Sequence, residues 1–293
     1  MEFVFPMKHY DRIYVSKVFG DEYSPEQPLS LMADEIFYGG TGYAIKIENG
    51  KEVFEKEKDH DLPEEIEHAF PDYDLYGLKD KAIGFLTRGC PNDCGFCIVS
   101  KKEGRVSHKV ADLSEFWDGQ KNIDLLDANI LACRDRQDLL DQLIDSGAVV
   151  DFVQGLDARF ITEEIAEKLG RIKIRLVHFA FDMMKNEKRV LEGLRIFKDA
   201  TKLDRRQAIV YILTNYDTSF REDFYRIQKV REIGFDPDVR IYRKDTAPRI
   251  TRDLQRWCNN RFVFGSCEFK DYAPRKDGRT IAELYPEEMR LVM

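Results

Sequence analysis

Residues 208–234 read AIVYILTNYDTSFREDFYRIQKVREIG, and the two halves of that stretch have different characters. Ala208–Leu213 (AIVYIL) is the longest uninterrupted apolar run in the chain. It is far below the ~20 residues that a membrane helix needs, and its length and β-branched content predict a buried strand. Thr214 and Asn215 end the run. From Ser219 onward the sequence is amphipathic over a helix's length and stops at Gly234, a usual helix terminator. A strand that feeds a helix of this length is the repeating half of a parallel α/β sheet.

The same pairing recurs on both sides. Apolar runs at Ala82–Leu86, Ile123–Ala128, Val149–Val153, Ile174–Phe179 and Val239–Tyr242 predict five further strands. Between the strands lie ADLSEFW, RQDLLDQLIDSG, TEEIAEKLG and NEKRVLEGLRIF as linking helices. Thr162 is the expected N-cap of the third, with Glu163 and Glu164 facing the positive end of its dipole. Strand then helix, repeated, predicts an α/β fold with a parallel sheet and right-handed crossovers, in the form of a partial or full barrel. Chemistry in such folds gathers at the carboxyl ends of the strands. Here those ends carry Arg88–Cys97, Asp127, Asn129, Gln154–Arg159, Asp182, Asn215 and Arg243.

The expected organisation is a small acidic α/β unit over residues 1–79, a core over 80–245 and a C-terminal extension over 246–293. Residues 1–79 hold 8 Lys or Arg against 18 Asp or Glu, a balance of −10, so the whole chain's −8 leaves +2 for the remainder. A front end this acidic argues against a grip on nucleic acid. In it, Arg12–Gly20 and Asp34–Gly40 read as strands, and GGTGY after the second reads as a plain turn rather than a loop approaching a cofactor. The segment KEVFEKEKDHDLPEEIEH reads as charged and solvated. The extension reads as irregular with one helix, ITRDLQRWCNN, whose Ile250, Leu254 and Trp257 share a face. The start, MEFVFPMKHYDR, lacks a secretory signal's basic and apolar regions, so the expected location is the cytoplasm, where clustered thiols hold metal more often than each other.

Three of the six cysteines fall within Thr87–Cys97, TRGCPNDCGFC, at positions 90, 94 and 97. A structural zinc site closed by protein would normally supply a fourth Cys or His nearby. None is adjacent; His108 and Cys133 are the nearest candidates. An iron–sulfur cluster held by three thiolates instead keeps one iron open to a small molecule.

This C-x-x-x-C-x-x-C pattern, with Phe96 directly before its last cysteine and a predicted strand directly before the loop, resembles the signature of the radical S-adenosylmethionine (radical SAM) superfamily. The resemblance covers roughly residues 80–245 and implies a partial (β/α)6 TIM-like barrel. It implies a 4Fe-4S cluster on Cys90, Cys94 and Cys97, whose open iron is chelated by S-adenosylmethionine. Reductive cleavage of that cofactor gives a 5′-deoxyadenosyl radical, which abstracts hydrogen from an organic substrate. Phe96 would then lie near the adenine. The family's Gly-Gly-Glu run after the second strand is replaced here by DANILAC, where Asp127 and Asn129 are the nearest polar substitutes. Gln154, Asp157 and Arg159, with Asp182 and Asn215 behind them, are the candidate contacts for ribose and carboxylate; Arg159 suits a carboxylate because its guanidinium can bind both oxygens. For each, a salt bridge or loop cap is the alternative.

The front unit loosely resembles a truncated cobalamin-binding domain, but D-x-H-x-x-G is absent and 79 residues are few, so a relic without cobalamin is expected. Cys133 is a candidate hydrogen donor to a substrate radical; Cys258 and Cys267 are expected as small buried side chains. His178, among apolar neighbours, is expected to be a hydrogen-bonded core residue. The implied partners are a small-molecule or peptide substrate and an electron donor such as flavodoxin or ferredoxin, with no membrane and no indicated nucleic acid. The competing reading is a non-catalytic metal-binding or redox-sensing protein with structural zinc or iron–sulfur.

Overall fold

The computed structural model describes residues 3–5, 7–26, 28–48 and 51–292. In chain order its first elements are β1 (Tyr10–Ser16), β2 (Ala33–Gly39), β3 (Ile45–Glu48), β4 (Lys51–Phe54), α1 (Glu64–Glu67), β5 (Lys81–Gly84), β6 (Thr87–Arg88), α2 (Val99–Lys102), β7 (His108–Lys109) and β8 (Asn122–Leu125). There follow α3 (Arg136–Ser146), β9 (Val149–Phe152), α4 (Glu163–Arg171), β10 (Lys173–Ala180), α5 (Glu187–Ala200), β11 (Ala208–Thr214), α6 (Phe220–Ile233) and β12 (Asp236–Ile241). The chain ends with α7 (Arg249–Asn259), α8 (Arg261–Ser266), α9 (Ile281–Leu284) and α10 (Pro286–Arg290).

The fold is α/β, built on a six-stranded sheet of order β12-β11-β10-β9-β8-β5. Each strand of that sheet lies beside its predecessor in the sequence, and β9 with β10, β10 with β11 and β11 with β12 pair in parallel. The chain divides into two compact units, Met1–Ile123 with Ala128–Asp135, and Asp124–Asp127 with Arg136–Met293, and the division passes through β8. No helix among the described residues is long and apolar enough to cross a membrane.

In the first unit, β1 and β2 run parallel, with Tyr10 beside Ala33 and Ser16 beside Gly39. The glycines that follow β2 are required by close approach: a Cβ on Gly42 would lie 2.5 Å from the Phe19 carbonyl oxygen, and Gly40 takes φ +91° against the Lys17 backbone. Residues 51–54, at the start of the segment expected to be charged and solvated, pair antiparallel with β3 as a hairpin. This unit continues past residue 79 because Tyr73 ties the preceding segment to β5: its hydroxyl accepts from the Ile83 N–H (2.9 Å) and donates to the Phe116 carbonyl (2.8 Å). The expected helix ADLSEFW is only a single 3-10 turn, Leu113–Glu115. It starts well, with a capping box between Asp112 and Glu115, but Tyr73 takes the Phe116 carbonyl that a longer helix would need.

In the second unit, strand residues alternate between two faces. Val150, Phe152, Val177, Phe179, Val210, Ile212 and Val239 are buried, and the Phe179 ring meets Phe197 of α5 edge-on at 4.8 Å, so this is the helix-covered face. Helix ends follow the sequence closely. Thr162 accepts from the Ile165 N–H (3.3 Å), Ser219 and Glu222 close a capping box, and Gly234 ends α6 at φ +94°.

Inside α6 lies a fully buried cation. Arg226 donates to the carbonyls of Phe181 (2.5 Å) and Leu213 (2.8 Å) and to Asp223 Oδ1 (2.5 Å), while Thr218 Oγ1 donates to the same carboxylate oxygen. The two carbonyls belong to the last residue of β11's apolar run and the first residue beyond β10, so one guanidinium clamps the carboxyl ends of both strands. The extension is more regular than expected. Ile250, Leu254 and Trp257 of α7 are buried as one stripe, and α8, α9 and α10 follow it.

Candidate metal centre and strand-end residues

The cysteine loop begins where β6 leaves its antiparallel partner β7, with Arg88 beside His108. Gly89 follows with φ +87°, and a Cβ there would collide with the Val106 carbonyl oxygen. The Gly89 N–H donates to Glu103 Oε2 (3.1 Å) and the Cys90 N–H to the Gly104 carbonyl (3.1 Å), so the start of the loop is pinned to the turn after α2. Its other end is tightened by the Cys97 N–H donating to the Cys94 carbonyl (2.9 Å). Gly89→Ala is expected to cost roughly 1–3 kcal/mol through left-handed strain and that collision, read as a lower urea midpoint.

None of the six cysteines is in a disulfide, and Cys90, Cys94 and Cys97 are partly exposed. Burial pushes the Cys97 thiol up, and the nearby Cys90 adds to that. A buried thiol beside another thiol gives up its proton readily only when a cation offsets the charge, so metal binding here would release protons. The donor chemistry therefore fits a thiophilic metal or cluster. Among the described residues no three His, Cys, Asp or Glu side chains converge closely enough to hold a metal ion, so the three thiols would have to draw together on loading.

Asn129, expected as a contact for the S-adenosylmethionine amino group, is buried and donates its Nδ2–H to Cys90 Sγ (3.5 Å). Its backbone carbonyl accepts from Ser107 Oγ (2.8 Å), which fixes its position. The structure thus gives Asn129 a second role, at a ligand sulfur. Spacing along the chain could not have shown this, since 39 residues separate the two. Cys133 is fully buried, with Sγ 3.8 Å from Asp135 Oδ2, and presents no surface to a substrate. Phe96 is half-buried on the loop between Cys94 and Cys97.

The other candidates belong to the second unit. Asp127 is buried and Gln154 is exposed just past β9. Asp157 caps the following 3-10 turn, Ala158–Phe160, and its two oxygens accept from Arg159 Nε (2.8 Å) and Nη2 (2.6 Å). That bidentate pairing occupies the Arg159 fork with a carboxylate of the chain itself, the salt-bridge alternative for both residues. Asp182 accepts from the Leu213 N–H (2.9 Å), and burial raises its carboxyl above the ordinary range against the opposing pull of Arg226 and Arg159. Asn215 stands at φ +60° and donates to the Tyr242 carbonyl (2.8 Å), while Arg243 at the next strand end has φ +45°. Two non-glycine residues in the left-handed region on adjacent strand ends mark backbone held in place by its surroundings. Cys258 lies beneath β12, with its thiol 3.4 Å from the Pro237 carbonyl and pushed far up by burial, so it is inert.

His178 departs from its expected place. It sits on the face of β10 away from the helices, half-buried, stacked on Tyr211 at 4.7 Å with the rings 12° apart. Its apolar sequence neighbours, Val177 and Phe179, occupy the opposite face.

No protein-family model matches the chain, and no curated protein matches it.

Proposed function

We propose that the chain is a radical S-adenosylmethionine enzyme, with Cys90, Cys94 and Cys97 as the three protein ligands of a 4Fe-4S cluster and the six-stranded sheet as a partial (β/α)6 barrel. The observation that carries this reading is the loop itself: three thiols in eight residues, reached through the short β6 that follows β5, the first strand of a sheet whose members follow one another in sequence order. Right-handed crossovers between consecutive parallel neighbours place their helices on one face, which favours curling the sheet about the other. A cluster held by these thiols would supply a strongly reducing electron, and S-adenosylmethionine the one-electron chemistry that takes hydrogen from an organic substrate.

The chain's own residues hold and tune that site. Glu103 and the Gly104 carbonyl anchor the loop at Gly89 and Cys90. Asn129 holds a donor against Cys90 sulfur, and donors to ligand sulfur favour the reduced form. Asn129→Leu is expected to lower the midpoint potential by roughly 20–60 mV, the one-electron equivalent of about 0.5–1.5 kcal/mol for one hydrogen bond, measured by anaerobic redox titration. The reduced-thiol chemistry suits the cytoplasm, with flavodoxin or ferredoxin as donor.

Anaerobic purification tests the reading. Iron and sulfide in equal amounts, a brown chromophore and 5′-deoxyadenosine on reduction with S-adenosylmethionine are expected. A colourless zinc protein that forms no 5′-deoxyadenosine would establish a structural metal site instead.

A further inference from the structure

The face of the second unit's sheet that points away from its helices is more polar than parallel strands ordinarily allow. Asp151 of β9 stands opposite Leu176 of β10, and His178 is the next residue of β10 on that face. Tyr211 of β11 stacks on His178, and Arg240 of β12 lies over the Tyr211 ring at 4.4 Å. Asp151 is 7% exposed. Its Oδ2 accepts from Arg175, a side chain half in solvent. Its Oδ1 and the His178 Nδ1 are both buried without a hydrogen-bond partner.

Two such atoms on neighbouring strands are costly. Each unmet buried polar atom costs about 1–3 kcal/mol, and folded proteins satisfy nearly all of them. Their chemistry says what would satisfy them. Burial holds the imidazole below its ordinary range, which favours the neutral ring, and the tautomer with its proton on Nε2 leaves Nδ1 a lone pair. Both atoms are then acceptors, and one bears carboxylate charge. An anion would be repelled by Asp151. A metal ion would want a third ligand, and no group of three His, Cys, Asp or Glu forms among the described residues. The complement is a cation with at least two N–H donors.

We propose that this sheet face binds a protonated amine or guanidinium group, with Asp151 Oδ1 and His178 Nδ1 as its two acceptors. A guanidinium suits it best, because a planar cation can stack with the His178 and Tyr211 rings, and the Arg240 charge beside them is already paired with Asp238 (2.8 Å). Access comes by the half-exposed Arg175 swinging off Asp151. All of these residues lie in the second unit, so the site stands whether or not the cysteine loop carries a cluster.

The test is titration of the full-length protein with ethylguanidinium, n-butylammonium and uncharged ethylurea, followed by calorimetry and by the ring-nitrogen NMR signals of His178, assigned with His178→Gln. The expected result is saturable binding of the cations but not the urea, a shift of the Nδ1 signal, and about tenfold weaker affinity in Asp151→Asn, as loss of one charge-assisted hydrogen bond implies. Should Asp151→Asn fail to fold, His178→Phe, which keeps a ring stacked on Tyr211, must give a comparable loss. Agmatine against N-acetylarginine amide then tells whether a free amine or an arginine side chain is preferred. No saturable cation binding, or affinity unchanged in the variants, overturns the proposal.

Discussion

A Cys94→Ala protein prepared without oxygen is expected to be colourless, to carry less than a full complement of iron and to form no detectable 5′-deoxyadenosine. The size of the effect follows from coordination. A cluster held at three corners by thiolates has no spare protein ligand, so the loss of one leaves two corners open and the cluster labile. Cys90→Ala and Cys97→Ala should behave alike. Cys258→Ala is the control, because its thiol is buried beneath β12 and donates to the Pro237 carbonyl; it should stay brown and lose only stability. If Cys94→Ala keeps its colour and iron, the three-thiolate assignment fails. The measurement is visible absorption with iron analysis, alongside product detection after reduction with S-adenosylmethionine.

Arg226→Ala is expected to destabilise the protein by about 3–5 kcal/mol, the usual result of removing one partner of a buried ion pair. Against a total stability of about 5–15 kcal/mol, that is enough to unfold a substantial fraction of the chain. Arg226 is 0% exposed and serves Asp223 and the carbonyls of Phe181 and Leu213 at once. Its loss removes a donor from all three at once. Burial already holds the Asp223 carboxyl above its ordinary range, and without Arg226 it would rise further. A carboxyl with a raised folded-state value contributes stability below its unfolded value and loses it as pH rises through the folded one. The penalty in Arg226→Ala should therefore shrink on acidification. The double variant Arg226→Met with Asp223→Leu should recover much of the loss, since no charge is then stranded. Urea unfolding at two pH values reads both effects, and a penalty independent of pH would show that Asp223 does not carry it.

The parallel sheet was legible because each strand is an apolar run flanked by a helix with explicit ends, such as Thr162, Ser219 and Gly234. What the sequence hid was mostly side-chain partnership. Arg159 reads as a fork free for a ligand, yet Asp157 two residues away fills it. Asn129 reads as a cofactor contact, yet it reaches Cys90 across a long loop. ADLSEFW has a helix's start but loses a carbonyl to Tyr73, from a segment 43 residues earlier. His178 looked like core because apolar neighbours surround it in the sequence. In a strand those neighbours point the other way, and single-residue alternation is hard to see when both flanks are apolar. The cysteine spacing, by contrast, is local and needed no long-range contact to be read.

The rim strand β12 bears a further consequence. Asn259 of α7 accepts from the Val239 N–H (2.8 Å), and the amides of Asn259 and Gln255 donate to the Val239 carbonyl (3.1 and 2.9 Å). A foreign polypeptide approaching that margin meets main-chain groups already engaged by helix amides, and recruitment by strand addition is closed off there. A partner that joins by lending a strand must find another border.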